Sequence, residues 1–210
     1  MNTLSYSLLL GTILLGTMKM SDACSCALSH PQQLFCIAEV VIRAKAINRT
    51  VHNSDSIDGE IQYGIEMMEM FKGWDKITAV HDVFTPEESS MCGVDLDYER
   101  KVEYLLTGYL YNNKVTIGLC GLHKPWYEVT SFQKKSLTDG TYKKGCEYCK
   151  IRMCSGEQCD NHYSDTCFWG DWDNGDQWLE DNSACVPGKD GSCSWQSSPD
   201  AKQPIHEGHP

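Results

Sequence analysis

The chain reads as a mainly β protein with small helices: a closed barrel of about five strands, then a short unit held by disulfides. Three observations carry this reading. Runs with strand character fall before residue 145, where cysteines are sparse. Two short segments in the same region have the chemistry of helix starts. Between Cys146 and Cys193 the cysteines crowd together among Asp, Gly and Trp, and such a segment buries too little core to stand without staples. A β-sandwich is the other architecture that the strand pattern leaves open.

In chain order, the first 23 residues read as a secretory signal. The apolar run Leu8–Leu15 is too short to span a bilayer, and Ser21-Asp22-Ala23 puts small residues at the −3 and −1 positions of a cleavage site. No Lys or Arg precedes the run, so a membrane anchor is the competing reading; no later segment is apolar enough to span. Pro31–Cys36 opens a short helix with proline in its first turn. Glu39–Ile47 alternates as a strand does, with Val40, Ile42, Ala44 and Ala46 on one face and Val41, Arg43 and Lys45 on the other. Ile61–Lys72, Ile77–Phe84, Val102–Leu110 and Val115–Cys120 read as strands, and Met91–Leu96 as a weaker one. Asn48–Glu60 is read as a loop. Asn112-Asn113 suits a hairpin turn. Thr130–Leu137 reads as a second helix with Thr130 or Ser131 as its cap. The expected organisation is a signal over 1–23, an N-terminal domain over 24–146, a disulfide-rich domain over 147–198 and a mobile tail over 199–210.

A net charge of −11 opposes binding to nucleic acid and to anionic membranes. Twelve cysteines, an even count, read as six disulfides in an exported chain. Thiolate ligation of zinc at Cys24-Ser25-Cys26 or Cys146-Glu147-Tyr148-Cys149 competes with that reading but suits a reducing compartment. Spacing leaves the pairing open. Asn48-Arg49-Thr50 is a sequon for N-glycosylation at Asn48. No H-E-x-x-H occurs, and His206-Glu207-Gly208-His209 has the wrong offset, so a protease reading fails and no enzyme is expected. His30 reads as a packing residue, Arg43 and Lys45 as a solvated strand face, and Met67, Met68 and Met70 as core and edge filling. The aromatics Phe168, Trp169, Trp172 and Trp178 among acids suit either a protein-binding surface or the core of a small stapled unit.

Signal removal would make Cys24 the first residue. Its α-amino group, with an ordinary pKa of about 7.7–8.0, is partly neutral at pH 7. A neutral amine ligates zinc, and with the carbonyl oxygen of the same residue it closes a five-membered chelate ring. Such a terminus needs bracing, and cysteines at 24 and 26 supply it if both are bridged to the body. In an extended chain residues 24 and 26 point one way and Ser25 the other, and preorganisation of this kind lowers the ordering cost of binding.

Cys24-Ser25-Cys26 at a cleavage site, His30–Cys36 (HPQQLFC), Val41-Ile42-Arg43-Ala44-Lys45, Phe71-Lys72-Gly73, Cys92-Gly93-Val94, Pro125-Trp126, Gln133–Leu137 and Gly145-Cys146-Glu147 resemble the tissue inhibitors of metalloproteinases. The likeness runs through nearly the whole chain after the signal, and all twelve cysteines have counterparts. The resemblance implies a five-stranded OB-fold-like barrel, the netrin module, with a small C-terminal domain. It implies the pairs Cys24–Cys92, Cys26–Cys120, Cys36–Cys146, Cys149–Cys193, Cys154–Cys159 and Cys167–Cys185. It implies a secreted inhibitor acting in the extracellular matrix, with no cofactor of its own, whose Cys24 amino and carbonyl groups chelate the zinc of a matrix metalloproteinase in a 1:1 complex. Ser25 would enter the S1′ pocket, with Ala27 and Leu28 flanking Cys26 and the segment Ser89, Ser90, Met91 and Cys92 completing the protease-binding ridge. The C-terminal domain is the part that would meet a hemopexin domain. The tail from Ala201 to Pro210 departs from the acidic tails of relatives that escort progelatinases, the Asn48–Glu60 loop is shorter than in some members, and Cys146–Cys149 has two intervening residues where relatives often have one. N-terminal sequencing of the secreted protein is expected to start at Cys24; any other start favours a netrin-type binding module without inhibitory activity.

Overall fold

The computed structural model describes residues 24–54, 59–154, 163–170 and 175–201. The 1–23 segment read as a signal, and the tail beyond 201, lie outside the described residues. The body is a ring of five strands. β1 (Val40–His52) pairs with β2 (Glu60–Lys72), β2 with β3 (Asp82–Pro86), β3 with β5 (Lys114–Thr116), and β5 with β4 (Glu103–Tyr111), which returns to β1. β3 and β5 run parallel and the other pairs antiparallel. The closed ring is an OB-like barrel and excludes the sandwich alternative. A short β6 (His123–Pro125) extends the sheet beyond β4.

β1 is long enough to serve two cores. Its register with β2 shifts three times, between Val41 and Ile42, Arg43 and Ala44, and Ala46 and Asn48, and such bulges bend a strand round a barrel. Val40, Ile42, Ala44 and Ala46 face inward with Tyr63, Val83, Leu96, Leu106 and Val115. Val41 faces out, joining Phe35, Leu105, Leu137 and Tyr142 under the helices. Burying each large apolar side chain contributes roughly 1.5–3 kcal/mol. Arg43 and Lys45 share this outer face but are tied rather than freely solvated. Arg43 Nε donates to Glu103 at 2.8 Å, Lys45 lies 3.5 Å from the same carboxylate, and the Arg43 guanidinium stacks 4.7 Å over Trp126. The Arg43 hydrogen bond holds the Glu103 carboxyl below its ordinary range. Met70 is core and Met67 packs against it, whereas Met68 is exposed.

Several strand boundaries differ from the sequence reading. Only Asp82 onward of the Ile77–Phe84 run is strand, because Lys76 and Ile77 donate to Gly73 O in a turn. Val115–Cys120 leaves the sheet after Thr116, and Gly121 N–H turns back to Gly118 O. Met91–Leu96 is no strand. Burial alternates over Val94–Leu96, but no strand takes the amides: those of Met91, Cys92 and Gly93 turn back to Glu88 O and Ser89 O, Val94 N–H donates to Thr85 Oγ1 at 3.0 Å and Leu96 N–H to Tyr63 Oη at 3.2 Å. Part of the Asn48–Glu60 segment read as a loop is strand: Asn48–His52 pair with Glu60–Gly64 of β2, which pair on their other side with β3. Asn112 and Asn113 do form the β4–β5 turn, with φ of 49° and 61°, the left-handed values a type I′ hairpin needs.

α1 (Pro31–Ile37), α2 (Ser131–Thr138) and α3 (Thr141–Tyr148) lie outside the barrel, and the sequence reading missed α3. The C-terminal unit holds β7 (Lys150–Met153) parallel to β8 (Thr166–Trp169), α4 (Gly175–Asn182), and the hairpin of β9 (Ser183–Pro187) and β10 (Cys193–Ser197). It packs onto the helices: Ala184 and Val186 complete the outer core with Phe35 and Tyr142. The Gln32 amide donates to Cys185 O at 2.8 Å and accepts from Cys185 N–H at 2.7 Å, closing a two-bond clamp in which a Cβ at Gly145 would overlap both partners.

Helix caps make the rest of the joint. The last four carbonyls of a helix have no partner within it. In α4, Leu179 O meets His30 Nε2 at 3.2 Å, Glu180 O accepts from Gln133 Nε2 at 2.9 Å, Asp181 O from Thr130 Oγ1 at 2.6 Å, and Asn182 O from Ser198 N–H at 2.9 Å. His30, Thr130 and Gln133 are themselves capping-box residues of α1 and α2. His30 is fully buried, its ring 5.9 Å from Trp169 and 4.9 Å from Trp195, so those aromatics, with Phe168 O holding the Trp195 indole N–H, pack the second unit onto α1. Trp172 lies outside the described residues; Trp178, in α4, is half-buried.

The His30 bonds define its tautomer: Nδ1 accepts the Gln32 N–H and Nε2–H donates to Leu179 O. Burial lowers its pKa from 6.5 to about 4. Between these values the unfolded chain binds a proton that the folded chain refuses, so stability rises with pH. The contribution is full above pH 6.5 and is lost as pH falls toward 4, by roughly 3 kcal/mol over the window. Urea unfolding between pH 7 and 4 is expected to show this slope, and His30→Asn, which keeps a neutral cap, to flatten it.

Candidate functional site

The barrel carries at one edge the two segments read as a ridge. Residues 24–30 run without regular structure to the start of α1. Disulfides fasten Cys24 to Cys92 and Cys26 to Cys120, each with Cα atoms 5.2 Å apart. Ser25, Cys26, Ala27 and Leu28 are exposed, as are Ser89, Ser90 and Met91; Cys24 and Cys92 are half-buried. Leu28 and Met91 are 54% and 55% exposed.

The second segment is held by its own turn as well as by the disulfide. Ser89–Met91 forms one turn of 3-10 helix, and Cys92 follows at φ 63°, the left-handed region. A non-glycine residue there costs about 1–2 kcal/mol. Glu88 O accepts both Met91 N–H at 3.0 Å and Gly93 N–H at 3.1 Å, and Cys92 N–H reaches Ser89 O at 3.1 Å. Gly93 has no room for a side chain, since a Cβ would overlap Pro86 O. Thr85, buried on β3, fixes the next residue by accepting Val94 N–H. On the other side Leu119 N–H donates to Cys92 O at 2.9 Å, which lays the Leu119-Cys120 segment against the ridge. Thr85 and Leu119 are not singled out by the sequence, and Gly93 enters there only as part of the motif Cys92-Gly93-Val94. Only the glycine beside a bridged cysteine signalled a close approach.

The sulfurs of Cys24, Cys92 and Cys120 lie within 4.8 Å of one another. All are oxidised in disulfides and offer no thiolate, so this cluster is not a metal centre. Elsewhere Cys36 pairs with Cys146, Cys149 with Cys193 and Cys167 with Cys185, at Cα separations of 5.3, 5.7 and 6.0 Å. Cys159 lies outside the described residues, and with it the Cys154–Cys159 pair. Asn48 is exposed on β1, where its Oδ1 accepts Gly64 N–H at 3.0 Å at a bulge. Among the described residues no helix is long and apolar enough to cross a membrane.

Comparison with known proteins gives one consistent answer. The family model for tissue inhibitor of metalloproteinase matches residues 22–195. Metalloproteinase inhibitor 2 of Canis lupus familiaris is 43% identical over 203 residues, covering 91% of this chain and 90% of its own. Metalloproteinase inhibitor 2 of Homo sapiens is 42% identical over 90% of this chain and 88% of its own. Metalloproteinase inhibitor 3 of Xenopus laevis is 35% identical over 93% and 92%.

The turn behind the ridge can be probed directly. Thr85→Val strands the buried Val94 N–H and is expected to cost about 1–3 kcal/mol, while Thr85→Ser keeps the acceptor and most of the stability. Gly93→Ala forces the backbone off Pro86 O at about 1–3 kcal/mol. Urea midpoints of the three variants check the order.

Proposed function

The chain belongs to the tissue inhibitor of metalloproteinases family, and on that premise we propose that it is a secreted inhibitor of zinc metalloproteinases acting through Cys24. Once residues 1–23 are removed, the α-amino group and carbonyl oxygen of Cys24 bind the zinc of the target enzyme, in the place of its catalytic water. Ser25 enters the S1′ pocket. Cys26, Ala27 and Leu28 continue along the cleft, and Ser89, Ser90, Met91 and Cys92 make the second line of contact. The C-terminal unit is the part available to a hemopexin domain of such an enzyme.

The observation that carries this reading is the double brace. Cys24 and Cys26 are both bridged to the body, with an exposed Ser25 between them. A free dipeptide would have to order on binding, at about 1–2 kcal/mol per residue of backbone. Here much of that cost falls on folding instead. The bridges close sequence separations of 68 and 94 residues, each worth roughly 4–5 kcal/mol in the chain-entropy model. Disulfides on this scale require an oxidising compartment, which supports secretion to the extracellular space.

The test is a change at the amine alone. Acetylation of Cys24, or one added alanine before it, is expected to weaken inhibition of a matrix metalloproteinase by on the order of 10³-fold, roughly 4 kcal/mol. Circular dichroism and the unfolding midpoint should not move. Undiminished inhibition by the extended form excludes the chelate.

A further inference from the structure

The two disulfides of the ridge are close enough to react with each other. Cys92 Sγ and Cys120 Sγ, which belong to different bridges, are 4.0 Å apart. Neither carries a proton, so the contact is not a hydrogen bond but two disulfides side by side. Leu119 N–H→Cys92 O holds their backbones together. Among the described cysteines, Cys26 and Cys120 are the exposed ones, whereas Cys167 and Cys185 are buried. Disulfide exchange needs an accessible sulfur for the incoming thiolate and a second disulfide within reach of the thiolate it releases. This edge has both.

The geometry points to a thiol–disulfide exchange site at Cys24, Cys26, Cys92 and Cys120, whose substrate is a small-molecule thiol and whose product has residues 24–29 cut loose from the barrel. The thiolate attacks Cys26 Sγ, forming a mixed disulfide there and expelling Cys120 as thiolate. Cys120 Sγ then attacks Cys92 Sγ across the 4.0 Å contact, forming Cys92–Cys120 and expelling Cys24 as thiolate, which takes a proton. One thiol enters, one thiol appears, and no further oxidant or reductant is required. If the Cys24 thiolate next attacks the mixed disulfide at Cys26, the small thiol is regenerated and the step becomes a thiol-catalysed isomerisation to Cys24–Cys26. Either product leaves residues 24–29 tethered only through His30. The barrel keeps Cys36–Cys146, and both cores are untouched. Only the consequence, loss of inhibition with the fold intact, rests on the function proposed above; the exchange does not.

The experiment uses the intact oxidised protein and reduced glutathione. Samples are quenched in acid at intervals, alkylated with N-ethylmaleimide, digested and mapped by mass spectrometry. The expected result is a peptide pair linked through Cys92 and Cys120, formed at least ~10-fold faster than the Cys167–Cys185 pair is lost, with far-UV circular dichroism unchanged. Metalloproteinase inhibition should fall in step with that link. In Cys26→Ser/Cys120→Ser the attacking thiolate is gone, and Cys92 should appear only as its original pair, as the thiol or as the glutathione adduct. Glutathione adducts and free thiols at the four positions without a Cys92–Cys120 link, or a link that forms only as the circular dichroism signal is lost, overturn the proposal. A protein that inhibits nothing before treatment refutes the functional reading, while the peptide map still decides the exchange.

Discussion

The structure depends on one strand being buried on both faces. β1 closes the barrel by pairing with β2 on one side and β4 on the other, and its pleat sends alternate residues to different cores. Val40, Ile42, Ala44 and Ala46 fill the barrel, and Val41 anchors the helices and the C-terminal hairpin outside it. A one-residue slip would exchange the two sets and put Arg43 and Lys45 into the barrel. The bulges that bend β1 therefore have to fall where they do. Pairing with β4 ends at Lys45, so Asn48–His52 form an edge of the sheet paired with β2 alone.

The second unit is attached by a different kind of interaction. Its own core is small, and it reaches the barrel through groups that every helix end leaves unpaired. Three of the four terminal carbonyls of α4 find donors in His30, Gln133 and Thr130, which already cap other helices, and Ser198 N–H of the same unit takes the fourth. Each capping residue thus satisfies two backbones at once, and the joint is as specific in direction as in shape. Burial at its centre keeps the histidine neutral. Lys72 treats the other end of α1 similarly, donating to Phe35 O and Cys36 O at 3.0 and 2.7 Å.

The candidate edge follows from these supports. Barrel closure puts β3 beside the Ser89–Cys92 turn, so Thr85 and Pro86 define its height, and the β5–β6 connection brings Leu119 and Cys120 alongside. Four sulfurs gathered in one place make a stiff ridge and, by the same proximity, one that a thiol could loosen. Rigidity and vulnerability share a cause: two cross-links anchored on adjacent backbone.

By itself the sequence determined the alternation of Glu39–Ile47, the Asn112-Asn113 turn, the helices led by Pro31 and Thr130, and the barrel class, because periodicity and turn chemistry are local. Its cysteine count announced disulfides, and Cys24-Ser25-Cys26 with its surroundings pointed to the family. It misled where burial alternates without a ladder, as in Val94–Leu96, because pattern cannot tell a strand partner from the hydroxyls of Thr85 and Tyr63. Only the tertiary structure decided that Gln32 clamps Cys185, that Gly145 must be bare, that His30 caps two helices at once, and that Cys92 lies against Cys120. Those contacts join residues from 28 to 153 positions apart, and no local rule relates such residues until the ring of strands has closed around them.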